Sequence, residues 1–172
     1  MLKIRKETPL DLEAIIRVNN YAFNKYEDCQ QIEALRKNQE FKEDLSLVAD
    51  DDKSIIGYIL LLPTYITNDY RRHSTLLLAS IAVLPERQKQ GVGTALVKGA
   101  IRQGEKMGFG SILQLGCPDY YLRFGFKKAS RWNIYAPIKA QDEAILALEL
   151  NRYGLNQVSG VLSIPEEFNT LT

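Results

Sequence analysis

Residues 80–94 read Ser80-Ile81-Ala82-Val83-Leu84-Pro85-Glu86-Arg87-Gln88-Lys89-Gln90-Gly91-Val92-Gly93-Thr94. An apolar run passes through a basic, glycine-bearing loop into a helical pattern. The first turn of a helix offers free backbone N–H groups and the positive end of the helix dipole, which together suit a phosphate. Glycine at 91 and 93 removes side chains that would hold a phosphate away from those amides. Two familiar nucleotide loops do not fit. A Walker A loop needs lysine after its last glycine, and here Gly93 is followed by Thr94-Ala95. A dinucleotide fingerprint needs a third glycine where Leu96 stands. On the residues alone two readings stay open: a phosphate turn, or glycines that let a helix pack closely on a strand.

Other chemistry is sparse. The cysteines are Cys29 and Cys117, with no CxxC spacing, and His73 is the single histidine. That excludes a disulfide scaffold and argues against a zinc site, so no metal is expected. Cys117 could carry an acetyl group in a ping-pong reaction. It has no histidine near it in sequence, and a free cysteine is more often a small buried hydrophobe. Lys and Arg total 22 against 21 Asp and Glu, a net charge of +1, which argues against a nucleic-acid surface. No run approaches the ~18 apolar residues of a membrane span. The first residues, Met1-Leu2-Lys3-Ile4-Arg5, do not read as a signal peptide, so the expected location is the cytoplasm.

Length and pattern predict one domain over residues 1–172. Residues 2–6 alternate as a half-buried strand. Thr8-Pro9-Leu10-Asp11 reads as a helix start, and apolar spacing carries the helix to about residue 24. A weaker helix is predicted over 30–37. Strands over 45–49 and 55–62 should form a hairpin that stops at Pro63. Arg71-Arg72-His73 reads as a polar loop, and 76–83 as a strand buried on both faces. Residues 91–107 are helical and 112–115 a short strand, a crossover that makes the strands at 76–83 and 112–115 parallel. A short helix over 119–124 and strands over 145–150 and 161–164 complete a mixed α/β domain.

Gln88-Lys89-Gln90-Gly91-Val92-Gly93, with Ile81-Ala82-Val83 and Leu84-Pro85 before it, resembles the Gln/Arg-x-x-Gly-x-Gly/Ala signature of the GNAT superfamily of acyl-CoA-dependent N-acetyltransferases. A second segment supports this: Pro118-Asp119-Tyr120-Tyr121-Leu122-Arg123-Phe124-Gly125-Phe126 is similar to the late family motif, with Tyr121 four residues before Gly-Phe. The Pro-x-Tyr-Tyr-x-Arg-Phe-Gly-Phe form, the Thr-Pro-x-Asp start, Ile56-Gly57-Tyr58 and the tail at 160–168 resemble one bacterial branch, so the likeness spans the chain.

The resemblance implies a mostly antiparallel sheet with a central splayed parallel pair, flanked by helices. It implies that acetyl-CoA is the cosubstrate. Amides from Gln88, Lys89, Gln90, Gly91, Val92, Gly93 and Thr94 would hold its pyrophosphate, and Ile81, Ala82 and Val83 would pair with the pantetheine arm. An amide near Ala82 or Val83 could polarise the thioester carbonyl. Phe124 joins the cofactor-binding set. Tyr121 is the implied general acid for the leaving thiolate, since a phenol of pKa ~10 matches a thiolate of comparable basicity; aromatic packing is its plainer role. Relatives often place a glutamate on the strand before the loop, but residues 74–83 contain no acid. Glu27, Asp28 and Glu33 fall where the family's acceptor site often lies, and a solvated helix face explains them equally well. Arg87, Lys89, Arg123, Lys127 and Lys128 are candidate phosphate cations, and Trp132 and Tyr135 candidate pocket walls. The expected reaction is direct attack by a small-molecule or protein amine within a ternary complex, by a chain that relatives suggest is a homodimer. The rivals are a non-catalytic acyl-CoA-binding module and a scaffold.

Overall fold

The computed structural model describes residues 1–23, 26–116, 118–138 and 145–171, without the side chains of 26–30 and 169–171. Its elements are β1 (Lys3–Lys6), α1 (Leu12–Phe23), α2 (Tyr26–Arg36), β2 (Ser46–Asp50), β3 (Ile55–Thr67), β4 (Arg72–Val83), α3 (Val92–Lys106), β5 (Ser111–Leu115), α4 (Pro118–Leu122), β6 (Lys127–Lys128), β7 (Ile134–Tyr135), β8 (Ile145–Glu149) and β9 (Gly160–Leu162). The strands form a mixed, mostly antiparallel sheet with helices, as expected. Among the described residues no helix is long and apolar enough to cross a membrane. The chain divides into two compact units, and β3, β4 and α3 each contribute residues to both.

The first unit comprises Met1–Leu62, Ala79–Gln103 and Glu167–Thr172. β1, β2 and the first half of β3 are antiparallel neighbours, with Ile4 opposite Ala49 and Val48 opposite Tyr58. The β2–β3 turn is the expected hairpin, and Asp52 takes the left-handed conformation there (φ 70°). Ile15, Val18, Leu35, Val48, Ile59, Leu60 and Leu96 are fully buried, each worth roughly 1.5–3 kcal/mol of desolvation. A buried polar cluster lies on α2. Arg36 donates to both Glu7 carboxylate oxygens and to the Tyr58 hydroxyl, which also meets Ser46 Oγ at 2.8 Å. Burial pushes the Tyr58 phenol up to about 12.

Thr8-Pro9-Leu10-Asp11 begins with a 3-10 turn, Pro9–Asp11, and the α-helix starts only at Leu12. The Asp11 carboxylate accepts from the Thr8 amide at 2.7 Å and from two Arg5 nitrogens at 2.8 and 3.0 Å. Arg5 and Thr8 hold its pKa at about 2, below the ordinary carboxylate value. A depressed folded-state pKa contributes stability above the unfolded pKa and loses it as pH falls through the folded one. Asp11→Asn is therefore expected to cost about 2 kcal/mol at pH 7, with the gap closing between about pH 4 and 2. Urea midpoints of the two proteins at pH 7 and pH 3 check this; an equal gap at both would contradict it.

The second unit comprises Pro63–Leu78 and Gly104–Glu166. β5 pairs antiparallel with β8, and β8 with β6. β4 and β5 are parallel, as the crossover predicted, but their ladder has two rungs among the described residues, Leu76↔Ile112 and Leu77↔Leu113. β4 continues to Val83 beyond the last of those rungs. β7 and β9 pair in parallel, and β9 also pairs with the end of β3.

Two expectations need correction. β3 does not stop at Pro63 but runs through it to Thr67. β3 lies between β4 on one edge and β2 and β9 on the other; its ladder with β2 ends at Leu60 and that with β9 begins at Ile66, so on that edge no rung falls at Pro63 to ask for its missing N–H. Arg72 and His73 are not in a loop but open β4. The Arg72 guanidinium lies 3.5 Å from the Tyr65 ring centroid, a cation–π contact that accommodates a charged residue on a strand.

Candidate functional site

The glycine-bearing loop belongs to the first unit. After Val83 the Leu84 amide bonds to Ile56 O at 3.0 Å, and a 3-10 turn, Pro85–Arg87, follows. Two glutamines brace the loop from inside: Gln88 Nε2 donates to Val83 O at 3.2 Å, and Gln90 Nε2 to Glu86 O at 2.8 Å. Lys89 (φ 59°) and Gly91 (φ 84°) are both left-handed, and this pair of reversals turns the chain into α3. The Ala95 amide makes the 3.0 Å bond to Gly91 O that opens the helix. Amides of the residues between, Val92, Gly93 and Thr94, are therefore the orphan donors of a helix start.

The position of that start is set by a glycine elsewhere. A Cβ on Gly57 would come within 2.9 Å of Leu96 and 3.1 Å of Val92, so its absence lets α3 lie close on β3. Gly99 does the same against Ile4. Gly91 is different: a Cβ there would meet nothing within 4 Å. It is a conformational glycine on an open surface, which removes the close-packing alternative for this residue. Gln88, Lys89, Gln90 and Gly91 are exposed, with Val92 buried beneath them and Gly93 and Thr94 half-buried.

Arg87 is committed elsewhere. Its guanidinium pairs with Asp51 at 2.8 Å, and Asp51 is itself held by the Lys53 and Ser54 amides, which keep its carboxyl below the usual range. Lys89 has no ion pair among the described residues, so it is the loop cation left for an anion. Ile81 and Val83 are half-buried and Ala82 buried at the end of β4.

In the second unit, α4 carries Tyr121, which is 4% exposed. Its ring meets Tyr120 edge-on at 5.1 Å and Phe126 at 5.6 Å, with Phe124 at 6.5 Å. Gly125, with φ 95°, lets the chain reverse after the helix so that Phe126 returns beneath Tyr121. This explains why glycine and an aromatic residue follow the tyrosine at fixed spacing. Arg123 lies over the Tyr120 ring at 4.8 Å, a packing role for both.

The chain matches the profile of the acetyltransferase (GNAT) family over residues 14–126. It belongs to that family. It is 27% identical over 167 residues to the uncharacterised N-acetyltransferase YhbS of Escherichia coli K12, covering 96% of this chain and 98% of the relative. The crystal structure of E. coli YhbS in complex with CoA superposes with a TM-score of 0.88 over 98% of this chain and 92% of that one, at 27% identity. A GNAT acetyltransferase from Brucella melitensis in complex with acetyl-CoA gives 0.77, at 27% identity and 98% coverage of both chains.

Lys127 and Lys128 are exposed on β6, and Glu33 is exposed on α2. Cys117 and the side chains of Glu27 and Asp28 lie outside the described residues. Trp132 lines a cavity of about 470 Å³ with Glu149, Tyr153 and Leu155, whereas Tyr135 is half exposed on β7 and does not line it. His73 is half-buried, with Nε2 buried and without a hydrogen-bond partner among the described residues. Among the described residues no three His, Cys, Asp or Glu side chains cluster to hold a metal. What the sequence pattern did not disclose is the internal bracing: Gln88 on Val83, Arg87 on Asp51, and Gly57 beneath α3.

Proposed function

We propose that this GNAT acetyltransferase binds acetyl-CoA through Ile81, Ala82, Val83, Phe124, Tyr121 and the loop from Gln88 to Thr94, and passes the acetyl group to an amine. The loop geometry carries the reading: orphan amides at the start of α3, two left-handed residues before them, and open space over Gly91. The acetyl-CoA and CoA complexes of the two relatives support the choice of ligand. The CoA pyrophosphate would rest on the loop amides, with Lys89 as its counter-charge.

The chemistry follows from the thioester. A neutral amine attacks the carbonyl carbon, the C–S bond breaks, the thiolate leaves as it takes a proton, and the nitrogen's surplus proton passes to water, from which the proton donor is restored. Tyr121 is the proposed donor of that proton, and a backbone amide near Ala82 or Val83 the proposed partner of the carbonyl oxygen. Holding both reactants together provides most of the acceleration, which suits a chain whose strand brings no acid. Cys117 has no step in this scheme. The acceptor is a small-molecule or protein amine. Calorimetry with acetyl-CoA, followed by thiol release with a panel of polyamines, amino acids and peptides, tests the reading. A chain that does not bind acetyl-CoA would overturn it. One that binds but releases no thiol with any amine would be the non-catalytic acyl-CoA-binding module.

A further inference from the structure

Asn19 lies in the middle of α1 and is 0% exposed, a poor place for a carboxamide unless something requires it. Its Nδ2 donates to Ile15 O at 2.9 Å. A carbonyl can only accept, so that bond orients the amide and turns Oδ1 the other way. Oδ1 accepts the Ser80 hydroxyl at 3.3 Å. Ser80 has one proton, and this contact uses it. What Ser80 Oγ then presents is lone pairs alone. Asn19, Ser80, the end of β4 and the glycine loop all belong to the first unit.

Ser80 stands two residues before Ala82, on the strand that leads into the loop. Between residues 74 and 83 the polar side chains are Ser74, Thr75 and Ser80. Ser74 is exposed near the start of β4, and Thr75 is buried against Ser111 Oγ at 2.6 Å. Ser80 is half-buried. It is the polar side chain at the cofactor end of a strand that lacks an acid.

We propose that Ser80, its proton held by Asn19, accepts a hydrogen bond from the N–H of the acceptor amine and so aims the nitrogen lone pair at the thioester carbon. The proposal rests on the acetyl-transfer reading above and adds the residue that orients the nucleophile. Ser80 does not remove the proton. As the N–C bond forms and the C–S bond breaks, positive charge grows on nitrogen, and its N–H bonds more strongly to Oγ. The surplus proton leaves to water once the amide has formed. The contact is thus tighter in the transition state than in the ground state, which is the condition for it to accelerate transfer. Asn19 acts through Ser80 and is a positioning residue.

The test compares wild type, Ser80→Ala and Ser80→Thr with acetyl-CoA and three probe amines: spermidine, L-lysine and an alanyl tetrapeptide. With any amine that wild type acetylates, Ser80→Ala should lower kcat/KM about tenfold. The acetyl-CoA Kd should stay at the wild-type value, the melting temperature should fall modestly because buried Asn19 Oδ1 loses its donor, and Ser80→Thr should recover most of the rate and of the stability. Equal kcat/KM in Ser80→Ala overturns the proposal, and so does an equal loss in acetyl-CoA affinity, which would make Ser80 a cofactor or structural residue. A wild type that binds acetyl-CoA but acetylates none of the three fails the transfer reading instead. Ser80 is then tested on the slow hydrolysis of acetyl-CoA, where a water O–H takes the place of the amine N–H. Equal hydrolysis by Ser80→Ala and wild type would end it.

Discussion

In acetyl-CoA titrations, Gly91→Val should bind at least tenfold more weakly than wild type, a loss of about 1.4 kcal/mol. Two effects act together. Gly91 has φ 84°, where a β-branched side chain is strained by roughly 1–2 kcal/mol, so the loop must shift and carry the amides of α3 with it. A Cβ at 91 would also stand in open space, the side from which a phosphate must come. Because no protein atom lies within 4 Å of that Cβ, the fold should survive with a modestly lower melting temperature. Gly91→Asn separates the two effects, since asparagine tolerates the left-handed region. If blocked approach dominates, it should bind nearly as weakly as the valine variant. If backbone strain dominates, it should bind nearly as wild type. A folded Gly91→Val with unchanged affinity removes the phosphate assignment.

The parts of this molecule that were legible in sequence are those whose signal is local. The loop at 88–94 announces itself through glycine, basic residues and a strand-to-helix change within a few residues. The crossover from β4 to β5 follows from the amphipathic pattern of α3 and the two apolar runs beside it. At Pro63 and His73 residue type is a poor guide, because context decides what each does. Proline ends a strand only where a neighbour needs its N–H, and here the ladders change partners around it. A charged and a polar residue open β4 because Tyr65 supplies a ring for Arg72. β6 and β7, of two residues each, are too short for any periodicity to show.

The site's supports were hidden for a different reason: they are pairs far apart in the chain. Ser80 and Asn19 are separated by 61 positions, and Arg87 and Asp51 by 36. Neither member of such a pair carries a motif. Asn19 taken alone reads as an ordinary polar position on a helix, and only its complete burial shows that it serves something. Gly57 is similar. One glycine in a strand has several explanations, and the approach of Leu96 and Val92 chooses among them. The missing strand acid, by contrast, was plain from the sequence, and it sends the search for a nucleophile-orienting group to the neutral side chains of β4.

Tyr121→Phe should lower kcat by about a hundredfold or more while leaving acetyl-CoA affinity near wild type, the scale of a general acid's contribution. The substitution suits the structure. Tyr121 is buried, with its ring edge-on to Tyr120 and Phe126, and phenylalanine keeps those contacts while removing the hydroxyl. The ring packing should therefore persist, and a melting temperature near wild type would place the loss on chemistry. A proton delivered as the C–S bond breaks is an interaction of the transition state, so kcat and kcat/KM should fall together. The leaving group gives a sharper readout. With an acetyl thioester of a more acidic thiol, the departing thiolate needs less protonation, and the gap between variant and wild type should narrow. A general acid predicts that narrowing; a ring that only packs predicts the same ratio with either thioester. Full turnover by Tyr121→Phe would refute the acid role, and a rise in KM with kcat unchanged would make Tyr121 a binding residue.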